Sequence, residues 1–94
     1  MQVRTLMQKK LVEGLSPSHL DIEDQSQRHI GHAGHRPGGE SHFRIEIVAA
    51  AFAGKSRVER HRLVNALLAE ELAGTVHALA LSTLTPEEFD AMAG

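Results

Sequence analysis

Histidine is the residue this sequence holds in excess, with seven imidazoles against only three aromatic rings, all of them phenylalanine. Imidazole is the commonest metal ligand and the side chain that titrates nearest neutrality, so the placement of these residues bounds the chemistry open to the chain. His29, His32 and His35 recur every third residue in a glycine-bearing stretch that can fold around an ion, although the spacing is not one of the defined zinc patterns. The bland alternative is a solvated polar loop. His77 interrupts the apolar run Val76, Ala78, Leu79, Ala80, Leu81, so its ring must lie at a strand end or be hydrogen-bonded inside. His42, between Ser41 and Phe43, reads first as a residue capping a strand. His61 sits between Arg60 and Arg62 and is not expected to share a ligand with the others.

The chain has no cysteine, which removes disulfides, thiol nucleophiles and any thiolate-only metal site built from this chain alone. Iron or zinc here would need histidine, carboxylate or sulfur from elsewhere. Catalytic signatures are equally missing: no Ser or Cys nucleophile stands in a recognisable motif with a His and an acid, and neither a phosphate-binding glycine loop nor HExxH occurs. Glu70 with Glu71 and Glu87 with Glu88 are adjacent on predicted helices, where sequence neighbours do not face each other, and they read as solvated. The expectation is a protein that is not an enzyme. A second constellation, Lys55, Arg57, Arg60 and Arg62, opens a predicted helix just after Gly54, where a helix N-terminus favours anions and phosphates. Glu59 dilutes it, and a solvated face with ion pairs is the competing reading.

The elements that must position these residues follow from periodicity. Val3, Leu6, Met7, Leu11, Val12 and Leu15 have helical spacing over residues 3–15, and Ser16 with Pro17 stops that helix. Leu20 and Ile22 alternate with His19, Asp21 and Glu23 over 19–24, a half-buried strand. Residues 25–41 show no apolar period and form a long glycine-rich loop. Phe43, Ile45 and Ile47 then mark a second strand running into Val48, Ala49 and Ala50, and Phe52, Gly54 and Lys55 form a turn. Ser56 and Glu59 have capping-box spacing ahead of the stripe Leu63, Val64, Leu67, Leu68 and Leu72, which Gly74 ends. Residues 75–82 place Val76, Ala78 and Ala80 on one face and His77, Leu79 and Leu81 on the other, as suits a strand covered on both sides. Thr85, Pro86, Glu87 and Glu88 read as cap, first residue and acidic first turn of a last helix.

A helical crossover between the second and third strands makes them parallel, while the first two pair antiparallel. With the second strand central, one end of the sheet gathers the end of strand one, the loop, and the starts of strands two and three. His29, His32, His35, His42 and His77 therefore belong to one edge. The 94 residues leave room for a single domain, 1–94, and the 41% apolar and 23% charged fractions are ordinary for a globular chain. No apolar run nears the ~20 residues of a membrane span and the first residues lack a signal-like apolar region, so a cytoplasmic protein with no membrane partner is expected. A net charge of −2 argues against a chain made simply to coat nucleic acid.

The stretches Gly39-Glu40-Ser41-His42-Phe43-Arg44, Phe52-Ala53-Gly54, Arg60-His61-Arg62-Leu63-Val64, Leu68-Ala69-Glu70-Glu71-Leu72 and Val76-His77-Ala78-Leu79-Ala80 together resemble the BolA family, over nearly the whole chain. The resemblance implies an α+β fold of class II KH-like type, α-β-β-α-α-β-α, with a three-stranded mixed sheet and helices packed on one face. It also implies partnership with a monothiol glutaredoxin through a [2Fe-2S] cluster shared with that protein's cysteine, its glutathione and histidines of this chain. The family's last-strand ligand falls on His77. Its loop ligand falls on His29, with His32 and His35 as alternatives in what looks like an insertion. The chain alone would be a monomer or weak homodimer. The other function implied is a KH-like, DNA-binding transcriptional regulator of stress response and cell morphology, acting through Lys55, Arg57, Arg60 and Arg62.

Overall fold

The computed structural model describes residues 3–25 and 42–93. Helix α1 spans Val3–Leu15, and strand β1 spans His19–Asp24. Strand β2 covers His42–Val48, and a 3₁₀ turn at Ala50–Phe52 leads to α2, Arg57–Leu67. The helix breaks at Leu68 and resumes as α3, Ala69–Ala73, before β3, Ala78–Leu84, and α4, Pro86–Ala93. The order in the sheet is β1-β2-β3, with β1 antiparallel and β3 parallel to the central strand. This is the mixed α+β topology expected from the sequence.

One stripe of α1, made of Met7, Leu11 and Leu15 at four-residue spacing, packs on the sheet face that carries Ile22, Phe43, Ile45 and Ile47. Val12 was expected on this stripe but is exposed, because the buried row follows the i, i+4 line and Val12 falls one step off it. Helix α2 adds Val64 and the break residue Leu68, and Phe52 in the 3₁₀ turn fills the core without any exposure. The strand expected to run on through Ala50 stops at Val48, since the chain must turn there to bury Phe52. At the start of α2, Ser56 Oγ accepts from the Glu59 N–H, and the Glu59 carboxylate accepts from the Ser56 N–H. Helix α4 repeats the device with Thr85 and Glu88. Such a box satisfies two otherwise orphaned donors.

Strand β3 departs most from expectation. It starts at Ala78, not at 75, and Val76 is buried ahead of it, its N–H donating to Glu71 O. Ala78 and Ala80 are exposed, so the first half of the strand is covered on one face only. Three acids expected to be solvated are paired, with Glu70 also reaching Lys10 at 3.3 Å. Lys10 Nζ lies 2.7 Å from Glu71 Oε2, pinning α1 to α3, and Glu88 meets Arg60.

Candidate functional site

His77 is exposed and stands one residue ahead of β3. The parallel register sets Ala78 against His42, and the antiparallel register sets Phe43 against Asp24. Gln25 N–H donates to His42 O at 2.8 Å, closing the end of β1 onto the start of β2. His42 and His77 are thereby brought to one end of the sheet, at both sides of the β2–β3 junction, as the topology demanded. His29, His32 and His35 fall outside the described residues. Among the described residues no group of three or more His, Cys, Asp or Glu side chains is close enough to hold a metal ion.

The other histidines lie elsewhere. His19 pairs in register with Val48 at the far end of the sheet, about 20 Å away at ~3.3 Å per residue. Its Nε2 is 2.9 Å from Glu46 Oε1, and its ring stacks on Phe89 of α4 with centroids 5.1 Å apart. His19 alternates with Leu20, so this contact seats Phe89 on the face opposite α1. His61 lines a groove between α2, β3 and α4, and it does not join the edge histidines.

The basic constellation separates into two kinds of residue. Arg60 was expected to be available to phosphates, but its side chain is only 12% exposed and fully engaged. Its Nε donates to Lys55 O at 2.9 Å, Nη1 donates to Thr83 O at 3.1 Å, and the guanidinium forks onto both Glu88 oxygens at 2.6 and 3.3 Å. It also lies 6.0 Å from the centre of the Phe52 ring. Arg60 is thus a staple joining the start of α2, the end of β3 and the start of α4. The signal that could have found it is its place on the Arg60, Val64, Leu68 line, which is the buried stripe of the helix. Arg57 and Arg62 are exposed, and Lys55 is half-buried. Lys55 and Arg62 flank a shallow hollow with Glu59, Leu63 and Ala66. The Arg60 guanidinium, aided by the Thr85 N–H, holds the Glu88 carboxyl down to about 2. Hydrogen bonds from Ser56 lower Glu59, and the Glu71 carboxylate raises Lys10.

A family model described as BolA-like protein matches residues 11–88. The chain belongs to the BolA family. BolA-like protein 1 of Homo sapiens is 47% identical over 93% of this chain, which spans 61% of that protein's length. The solved structure of BolA1 from Arabidopsis thaliana superposes with a TM-score of 0.84 at 43% identity, covering 94% of this chain and 96% of that one. The BolA domain of SufE1 from the same plant gives a TM-score of 0.80 at 43% identity, with 94% and 98% covered. The match to the whole SufE-like protein 1, chloroplastic/mitochondrial, takes in 87% of this chain and only 23% of that protein.

Proposed function

We propose that this BolA-family chain is a non-catalytic adaptor that lends histidine ligands to a [2Fe-2S] cluster held jointly with a monothiol glutaredoxin and its glutathione. The observation that carries the reading is the exposed His77 beside the β2–β3 junction, at the sheet end from which the β1–β2 chain departs. A BolA domain built into a SufE-like protein supports an iron-sulfur role for the family's fold. His77 supplies one imidazole, and one of His29, His32 and His35 supplies a second.

A ligating imidazole must be neutral, so binding is coupled to pH and protonation gives a route to release. His77 is well placed for this, since its exposure leaves the ring free to turn toward a partner. Histidine in place of thiolate raises a cluster's potential and lends it lability. Either delivery or sensing of a cluster would use that property, in the cytoplasm or in any compartment that holds the glutaredoxin.

The test is to mix the chain with a cluster-loaded, glutathione-bound monothiol glutaredoxin and record visible absorption and circular dichroism. Wild type should produce a new cluster spectrum, His77→Ala should abolish it, and one of His29→Ala, His32→Ala or His35→Ala should alter it. A spectrum that never changes, or that is the same for every variant, would overturn the ligand role. DNA binding, the other function the family resemblance implies, would rest on Lys55, Arg57 and Arg62 without Arg60, and would fall steeply with salt.

A further inference from the structure

The two edges of the sheet are built differently. At the outer edge, β1 carries Asp21, Glu23 and Asp24, charges of the kind that discourage another strand from pairing there. The opposite edge, β3, reads Ala-Leu-Ala-Leu-Ser-Thr-Leu and has no charge and no proline. Leu84 turns its carbonyl inward to accept from Ala49 N–H, whereas Thr83 turns its carbonyl outward, where it accepts from Arg60. By the same alternation Leu79 and Leu81 direct their N–H and C=O groups outward. Arg60 closes the edge at Thr83 only. Leu79 and Leu81 remain a short open template beginning two residues after His77.

Beyond Leu81 the edge runs into a groove of about 500 Å³ between α2, β3 and α4. Leu84, Ala91 and Met92 give it an apolar lining, while Arg57 and His61 line its α2 side. The geometry points to this edge as the docking surface for an extended, carboxylate-bearing segment of the partner that shares the cluster, added to the sheet as a fourth strand. The inference rests on the cluster-sharing reading above. A strand added there lies about 4.8 Å from β3, which sets the partner's backbone beside His77 and so within reach of a joint ligand set. The partner's carboxylate meets Arg57, and an apolar side chain covers Met92, which is 69% exposed. Backbone pairing supplies affinity and the groove supplies selectivity.

The proposal is tested by amide hydrogen exchange of the full chain, read by NMR, with cluster-free monothiol glutaredoxin as the probe. Leu79 and Leu81 amides should slow by about tenfold or more in the complex, while the inward amides of Ala80 and Ser82, already bonded to β2, should change little. Arg57→Glu should weaken binding by about tenfold. Unchanged exchange at Leu79 and Leu81 in a mixture that does give the shared-cluster spectrum overturns the docking surface and leaves the ligand role standing. Slowed exchange without any cluster spectrum supports the docking surface and overturns the ligand role. Protection that grows with the concentration of this chain alone overturns the proposal in favour of a second copy on the same edge.

Discussion

Replacing Arg60 by alanine should destabilise the fold far more than replacing Arg57 or Arg62. The guanidinium gives two hydrogen bonds to backbone carbonyls, those of Lys55 and Thr83, from a side chain that is 12% exposed. Each such bond is worth about 1 kcal/mol, and leaving the acceptors poorly satisfied adds a comparable cost. The stem's packing beside Phe52 adds to that. The ion pair with solvent-exposed Glu88 is left out of the sum, since exposed pairs contribute little. The total is about 2–4 kcal/mol, out of the 5–14 kcal/mol roughly expected for a domain of this size. Urea unfolding followed by circular dichroism measures it, with the slope unchanged and the midpoint lowered. Arg60→Lys should recover less than half, because an ammonium cannot reach two carbonyls and fork onto a carboxylate together. Arg57→Ala and Arg62→Ala, on exposed positions, should fall within about 0.5 kcal/mol of wild type. If Arg60→Ala unfolds at the wild-type midpoint, the staple is not holding the three elements.

Ser16, one residue beyond α1, adopts a φ of 47°, and its N–H donates to Val12 O. Glycine suits that left-handed position, so Ser16→Gly should stabilise by up to about 1 kcal/mol in the same urea titration. Glu88 is held at about 2 in the folded chain, below its ordinary 4.5, so its contribution is full above the ordinary value and is lost as pH falls from there toward 2. Stability measured from pH 6 to 2 should fall, and Glu88→Gln should make that fall shallower without abolishing it, because Glu59 is held low as well. Lys10 behaves in the opposite sense: raised above 10.5 chiefly by Glu71, it stabilises fully below that value and stops doing so as pH climbs past its folded value. His77→Ala, at an exposed position outside any strand, should leave the urea midpoint within about 0.5 kcal/mol of wild type, so a lost cluster spectrum would report ligation and not unfolding.

The parts of this protein that could be read directly were those where one physical signal acted alone. Leu20 and Ile22 alternate in one strand, and Phe43, Ile45 and Ile47 in the next. Their period, plus a crossover helix of the right length, fixed the sheet order and hence the edge at which His42 and His77 meet. The misread parts were those where two signals competed. In Val76 to Leu81, small and large apolar residues alternate without a polar marker, so periodicity could not tell a two-sided strand from a half-exposed one. Burial of Val76 under the end of α3 pushed the strand's start to Ala78 and left His77 outside it. Arg60 was hidden among Lys55, Arg57 and Arg62, although only it stands one turn before Val64 on the i, i+4 row that leads to Leu68, whereas Arg57, near the same line, is the first residue of the helix. A charge at such a position must find several partners or remain outside, and Arg60 found the carbonyls of Lys55 and Thr83 and the carboxylate of Glu88. The same pairing removes Arg60 from any phosphate-binding role and blocks the β3 edge at Thr83, so what looked like one basic surface is a structural clamp beside three further cations, Lys55, Arg57 and Arg62. The unblocked length of that edge, next to His77, is where the proposed partner strand would add.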